Sequence, residues 1–424
     1  MNQRPSKSTV TPISRGRTPV ASAKVNARLS FDGIGGRFQA IFRSFVAGQS
    51  LLFYFTLGVT VILALFGVVM VLSASSIQSI RETGGPFSYA WRQGLFALIG
   101  FTGLIAFSLL PVEFFARFSR AYFVFWMIVQ AAAVTVGKNV NGNKEWIELG
   151  PFTIQPSEFL KLGFIVAMAY HFHQRQGHEA DGRYYAWSSL WYPGIAAAGV
   201  MAGKDLGTTI VLVMIAMVVL WLAETPGIFM RIPLLAALVG ILFFALAFGN
   251  RSSRITAWLN PGNNDQANNL VWQSMHGVWA LANSNGIGRG LGMSSLKWSW
   301  IPEVQNDYIF AIIGEELGFA GAIATVLLFV ALGYFILQIA ARAQDLFSRM
   351  ICYGVAAWFV IQSFINIAVV LTLLPVLGVP LPFISYGGSS LISDLLAVGV
   401  VLSIERRNHR VLDGAGRGPL RRQR

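Results

Sequence analysis

The residues with the most chemical potential fall between Lys297 and Phe319, in the run KWSWIPEVQNDYIFAIIGEELGF. Lys297, Glu303 and Asp307 sit in a polar loop that leads straight into a long apolar segment, and that segment carries Glu315 and Glu316 well inside it. A charge at such a depth costs several kcal/mol and is normally retained for a reason. Helical spacing puts Asp307, Ala311 and Glu315 on one face, with Glu315 roughly 12 Å further along the axis than Asp307. One carboxylate therefore lies at a membrane surface and another below it, facing the same way. A carboxylate at the outer surface can serve as a general base. The competing reading is that Asp307, which with Asn306 precedes an apolar run, only caps a helix.

Other polar groups have candidate roles around that point. Arg251, Arg254, Arg289 and Lys297 near one membrane surface would suit a lipid-linked anion such as a pyrophosphate. Gly286, Gly288, Gly290 and Gly292 alternate around Arg289. They have no strand–helix context and are no dinucleotide fingerprint; a glycine-rich turn is the better reading, although such backbone can approach a phosphate. Glu158 and Lys161 share a helix face just after Gln155-Pro156-Ser157, a helix start with proline in the first turn. They are either a local ion pair, or Lys161 neutralises a buried acid on another helix or a ligand phosphate. Asp205, in Lys204-Asp205-Leu206-Gly207-Thr208-Thr209, can cap the helix that follows. Residues 374–390 contain Pro375, Pro380, Pro382 and Gly387-Gly388, which forbid a regular helix and permit a tight return. Such a loop tolerates the membrane edge only when packed against protein or a cavity. Asn366 and Asp394 are buried polar groups of the same kind.

The elements that position these residues are membrane helices. The chain has 424 residues, 54% of them hydrophobic and 12% charged, against about 25% charged in soluble domains. The net charge of +13 is concentrated in the two tails, which read as cytoplasmic flanks near anionic lipid and not as a nucleic-acid surface. Cys352 is the single cysteine, so no internal disulfide forms, and its apolar context marks it as a small core residue. The first apolar run starts near Leu51 and is long enough to span, so no cleavable signal peptide is expected. Residues 1–49 form a basic tail, disordered over 1–30, with a candidate surface helix over 36–48; 406–424 form a second basic tail.

Apolar segments follow at about 51–73, 92–110, 119–136, 158–172, 188–202, 206–222, 229–248, 308–340, 350–373 and 389–404. They predict an all-α polytopic membrane domain over 50–405, with about ten spans. The pair 188–202 and 206–222 is too long for one span and tight for two, so it is either a short hairpin or a broken segment. Arg117, Arg120, Arg175, Arg183, Arg231, Arg342 and Arg349 fall in alternate short loops, which with both tails form the cytoplasmic set. The opposite set, 74–91, 137–157, 203–205, 249–307 and 374–388, faces out. The longest outer loop, 249–307 between the seventh and eighth spans, ends at Asp307. No internal repeat is evident, which weakens a transporter reading.

Taken together these motifs resemble the SEDS family (shape, elongation, division and sporulation proteins). The resemblance is carried by Pro302-Glu303, Asp307-Tyr308-Ile309-Phe310 and Gly314-Glu315-Glu316-Leu317-Gly318. Gln155-Pro156-Ser157-Glu158, Asp205-Leu206-Gly207-Thr208 and Pro382-Phe383-Ile384-Ser385-Tyr386-Gly387-Gly388-Ser389 add to it. It is greatest to the division-type members of high-GC Gram-positive bacteria, and the chain departs from the family pattern at Glu145-Trp146, Gly203-Lys204 and Asn285-Gly286. The resemblance implies a peptidoglycan glycosyltransferase that polymerises lipid II on the outer face of the cytoplasmic membrane. Asp307 is then the catalytic residue and a candidate ligand for a divalent cation, Mg2+ or Mn2+. The candidate substrate-binding residues are Lys297, Arg251, Arg254, Arg289, Gln273, Ser274, Glu303, Ser385 and Tyr386. Glu158, Lys161, Asp205, Glu315 and Glu316 are structural or tuning residues. A class B penicillin-binding protein, divisome proteins and membrane lipids are the expected partners, with no nucleic acid. The rival functions are a lipid II flippase, an elongation-type polymerase and a non-catalytic scaffold for division partners.

The alternation of basic loops yields a direct test. Single cysteines placed within 260–295 should react with an impermeant thiol reagent added to intact cells, and cysteines in either tail should not. Labelling of residue 180 from outside would reverse the assignment.

Overall fold

The computed structural model describes residues 45–140, 143–150, 152–175, 190–225, 268–284, 286–298 and 304–416, with 230, 231, 233–236, 238–240, 254–256, 258 and 259. The expected disordered leader, most of the candidate surface helix over 36–48, most of the segment 229–248, and Arg251 and Glu303 lie outside the described residues. The chain divides into Met1–Ala47 and Gly48–Arg424, and the helices named here all belong to the second unit.

Among the described residues the helices are α1 (Leu51–Thr83), α2 (Ser88–Leu109), α3 (Val112–Val136), α4 (Pro156–Gln174), α5 (Trp191–Ala202), α6 (Leu206–Leu222), α7 (Asn268–Ala282), α8 (Ile309–Arg342), α9 (Leu346–Val370) and α10 (Gly388–Gly416). Among the described residues, α1, α2, α3, α8, α9 and α10 are long and apolar enough to cross a membrane. The protein is a multi-pass all-α membrane protein. α4 is buried over almost its whole length, charged pair included, as expected of a helix enclosed by protein and not by lipid. α9 and α10 are also largely buried, whereas α1, α2, α3 and α8 expose apolar faces. Small residues let the helices close. A methyl placed on Gly100 or Gly103 of α2 would stand 2.5 Å from Leu395 or 2.6 Å from Leu396 of α10, and one on Gly399 would stand 2.8 Å from the Leu104 carbonyl. Close approach of this kind is how helices associate where lipid is as apolar as leucine.

The expected outer loop over 137–157 is in fact a three-stranded antiparallel sheet, β1 (Lys138–Val140), β2 (Asn143–Leu149) and β3 (Phe152–Ile154), in the order β1-β2-β3. Trp146 and Ile147 favour a strand, but they are adjacent and flanked by charges, so no period-2 alternation marks it in the sequence. The pair at 188–222 is a hairpin: α5 and α6 are joined by Gly203-Lys204-Asp205, with Lys204 at φ 64°. Asp205 is the N-cap of α6, its Oδ1 accepting from Thr208 N at 3.0 Å.

α8 is broken at Gly318, which has φ 71° and ψ −167°, a region that essentially only glycine occupies. The polar segment of Gly286–Gly292 docks on this break. The amides of Arg289 and Gly290 donate to the carbonyls of Glu315 and Glu316 at 3.0 and 2.9 Å, and Ala320 N donates to the Gly286 carbonyl at 3.3 Å. Gly288 and Gly318 lie so close that a side chain on either would meet the other's backbone.

Segments assigned to the same surface touch one another. In one set Arg342 and Ser50 meet Glu405 at 3.9 and 2.5 Å, and Arg407 contacts Glu113 at 3.7 Å and pairs with Asp345, the N-cap of α9. In the other, Gln78 meets Gln305, Tyr89 meets Tyr386, and Lys144 N donates to the Gly203 carbonyl at 3.1 Å.

Gly318→Ala should lower the thermal stability of the detergent-solubilised protein by more than the roughly 1–3 kcal/mol of a strained backbone position, because the docked Gly288 backbone must also move. Gly58→Ala is the control: no atom lies within 4 Å of the added methyl, so the change should be neutral or slightly stabilising. Equal melting temperatures for the two variants would show that the break tolerates a side chain.

Candidate active site

Asp307 is not on the helix it precedes. α8 begins at Ile309, and the cap position belongs to Tyr308, whose side chain makes no capping hydrogen bond. The expected shared face of Asp307, Ala311 and Glu315 therefore does not form, because residues 304–308 are a turn. The capping role proposed for Asp307 also falls away. The carboxylate is half-buried, and its Oδ2 faces Gly378, where an added methyl would stand 3.5 Å away.

The turn is held by its backbone. The Gln305 carbonyl accepts from Tyr386 N at 3.0 Å, the Asn306 carbonyl from Ser385 Oγ at 2.6 Å, and the Asp307 carbonyl from Asn366 Nδ2 at 2.9 Å. The Gln305 amide also donates to Gln78 of α1 at 2.9 Å. Three consecutive carbonyls thus bind the loop before α10 and the face of α9. Ser385 Oγ also accepts from Leu381 N at 2.8 Å, so it shapes its own loop while bracing the turn. Gln93 of α2 accepts from Gly387 N and donates to the Ser385 carbonyl, at 3.3 and 3.2 Å.

The loop enters the bundle deeply. Gly67, midway along α1, lies against the backbone of Phe383 and Ile384, with the Ile384 Cα 2.7 Å from an added methyl. Helical rise places that point roughly 24 Å from either end of α1. Phe383 has φ 62°, and its amide donates to buried Asp394 at 3.0 Å.

One face of α9 supports the loop from behind. Trp358, Gln362 and Asn366 are spaced four apart and share that face. Gln362 Oε1 accepts from Trp358 Nε1 and from Lys161 Nζ, both at 2.7 Å, and its amide donates to the Pro380 carbonyl at 2.9 Å. Lys161 also pairs with Glu158 at 2.9 Å and stands 4.7 Å from the centre of the Trp358 ring. Both charged side chains of that pair are about 1% exposed. The local ion pair is therefore real, and its lysine reaches on to another helix.

The remaining candidates divide between the turn and the break in α8. Ser274 of α7 lies 3.3 Å from the Tyr308 hydroxyl, Gln273 is its neighbour on the same helix, and Arg254 donates to the Val376 carbonyl at 3.2 Å. Asp307 and Arg254 both act electrostatically on the Tyr308 phenol. Tyr386 packs edge-on against Tyr89, centres 5.0 Å apart. At the break, Arg289 pairs with Glu315 at 3.1 Å, and Glu315 also accepts from Ser294 Oγ at 2.6 Å and from Ser295 N and Oγ at 3.0 and 2.5 Å. Glu316 accepts from Ser73 at 2.7 Å and from Ser294 N at 3.3 Å. Lys297 donates to the Gly292 carbonyl. Two amides of this segment, those of Arg289 and Gly290, are thus spent on carbonyls of α8, in line with the glycine-turn reading. Gln78, Gln93, Gln305 and Gln362 escaped the sequence analysis; their signal was an amide inside an apolar helix or beside a motif. Among the described residues no group of three or more His, Cys, Asp or Glu could hold a metal ion. Mg2+ needs only one or two carboxylates alongside substrate phosphates, a minimum that Asp307 meets.

Comparison with known proteins agrees with this architecture. The family model FtsW/RodA/SpoVE, described as "Cell cycle protein", matches residues 53–410. The chain is 32% identical over 394 residues to the probable peptidoglycan glycosyltransferase FtsW of Mycobacterium tuberculosis, covering 92% of this chain and 75% of that one. It is 36% identical over 352 residues to stage V sporulation protein E of Bacillus subtilis, covering 82% and 95%. Among solved structures it superposes with TM-score 0.69 on a chain of a peptidoglycan synthase complex that coordinates polymerization and crosslinking, at 22% identity over 85% of this chain and 99% of that one.

Lys161→Met should cost about 3–5 kcal/mol, because it strands Glu158 in a dry interior. Lys161→Arg should cost less, since the charge is kept. Adding Glu158→Gln to Lys161→Met should recover much of the loss. Thermal unfolding of the purified variants measures this, and a Met variant of near-normal stability would show that the pairing carries no weight.

Proposed function

The chain belongs to the FtsW/RodA/SpoVE family of cell cycle proteins, and on that premise we infer that it is a peptidoglycan glycosyltransferase of the division type, FtsW, acting on lipid II with Asp307 as its base. Glycan extension joins the 4-hydroxyl of an acceptor sugar to the anomeric carbon of a donor. The new bond forms as the anomeric carbon–oxygen bond to pyrophosphate breaks, and the electron pair leaves with the lipid pyrophosphate. The acceptor proton needs a base at the outer surface, and the leaving group needs positive charge.

Asp307 suits the first need. Its carboxylate serves no helix cap, and the backbone beneath it is held at three successive carbonyls. That preorganisation is the observation that carries the reading, because a base misplaced by about an ångström can lose on the order of 100-fold in rate. Arg254, which reaches the Val376 carbonyl two residues before Gly378, suits the second need. Asp307 would be the protein ligand of a divalent cation, Mg2+ or Mn2+, which when bound supplies further charge against the pyrophosphate. Exposed apolar faces on α1, α2, α3 and α8 suit a bilayer location and an approach for lipid tails.

The protein acts in the cytoplasmic membrane at the septum, with both tails inside. Its partners are a class B penicillin-binding protein of the FtsI type, divisome proteins and membrane lipids. The tails 1–49 and 406–424 flank the catalytic domain over 50–405.

Purified protein, with and without the partner transpeptidase, should convert lipid II into glycan chains. Asp307→Asn should retain its stability and partner binding, and its polymerisation should fall by roughly 10²–10⁴-fold. Asp307→Glu should recover little. A stable Asp307→Asn protein that makes chains at the normal rate would end the assignment.

A further inference from the structure

Asp307 stands between two stretches of backbone that follow no helix: its own turn, and the loop through Gly378, Val379 and Pro380. One buried side chain of α9 holds both. Asn366, 1% exposed on α9, donates through Nδ2 to the Asp307 carbonyl at 2.9 Å and to the Val379 carbonyl at 2.8 Å. Both neighbours are acceptors only, so the amide nitrogen must face them. Among the described residues Asn366 Oδ1 has no hydrogen-bond partner, and the hydrogen bonds of this side chain go to these two carbonyls. One of them lies on the residue that carries the carboxylate. The other lies beside Gly378, where an added methyl would stand 3.5 Å from Asp307 Oδ2.

We propose that Asn366 is a positioning residue for glycan polymerisation, setting the separation between the Asp307 carboxylate and the Gly378 wall by binding the backbone of both. This rests on Asp307 being the base. Asn366 binds the backbone carbonyl of Asp307, so it acts through that residue. The neighbouring anchors do not replace it. Ser385 joins the residue before Asp307 to Leu381 further along the loop, and Gln362 holds the residue after Val379; neither reaches Asp307 and Val379 themselves. α9 gives Asn366 a rigid base: Gln362, one turn earlier, is locked by Lys161 and Trp358. Loss of the Asn366 amide leaves both backbones in place and their spacing unset. The predicted signature is a slower chemical step with substrate affinity little changed.

The experiment measures kcat and KM for lipid II with the full chain and its partner transpeptidase, per folded molecule recovered from size exclusion. The variants are Asn366→Ala, Asp307→Asn and the two combined. Asn366→Ala should lower kcat by about 10- to 100-fold and leave KM within about threefold, as for an interaction made in the transition state. The combined variant should be no slower than Asp307→Asn alone, because the two residues act as a unit. If Asn366→Ala yields no folded protein, Asn366→Ser, which offers one hydroxyl for two carbonyls, must show the same split. An unchanged kcat per folded molecule, a loss confined to KM, or losses that multiply in the combined variant would overturn the proposal. Normal polymerisation by Asp307→Asn would instead remove its premise, whatever Asn366→Ala does.

Discussion

The turn before α8 and the loop before α10 hold each other, and the rest of the outer half of the molecule is arranged so that they can. Backbone that leaves a helix within a bilayer loses its ladder of hydrogen bonds and finds no water to replace it. Residues 305–307 and 379–387 meet that constraint jointly: amides and side chains of one stretch satisfy carbonyls of the other, and Gln93, Gln362 and Asn366 supply what remains. The consequence is chemical. Backbone this fully engaged cannot drift, so a carboxylate mounted on it has a fixed place.

Rigidity reaches the turn from the interior through α9. The pair of Glu158 and Lys161 is a costly way to fill the centre of a membrane protein, since an apolar pair of the same volume would often be as stable. What the lysine adds is direction. It holds Gln362 with its oxygen toward α4 and its amide toward Pro380, and Asn366 follows one turn along the same face. A charge near the middle of the bundle thereby reaches, through two amides, the backbone around Asp307.

Glu315 and Glu316 solve a different problem. Where α8 breaks at Gly318, carbonyls lose their intrahelical donors, and the Gly286–Gly292 segment returns to supply them. The glycines are needed because two backbones approach closely there. The two carboxylates then fasten the returning chain through Arg289, Ser294, Ser295 and Ser73. The chain over 286–295 is thus tied to α8 at the break, before it reaches the turn that carries Asp307.

Much of this was legible without coordinates. The apolar runs, the alternation of basic loops and the position of Asp307 at the end of the longest loop follow from composition and order, because lipid imposes its requirements segment by segment. The prolines of 375–382 announced an irregular loop, and Glu158 with Lys161 announced a pair. What stayed hidden depends on segments far apart in the chain. No spacing rule connects Gln78 to Gln305 or Asn366 to Val379, and the break at Gly318 has no proline to mark it. The half-buried strand over 143–149 reads as a polar loop when its partners are unknown. The sequence by itself determined that this chain lives in a membrane and carries a carboxylate where its longest loop meets an apolar run, since both are properties of local composition and order. Only the tertiary structure decided that Asp307 caps nothing and is held from behind by α9, because hydrogen bonds between distant segments exist only once the helices have packed.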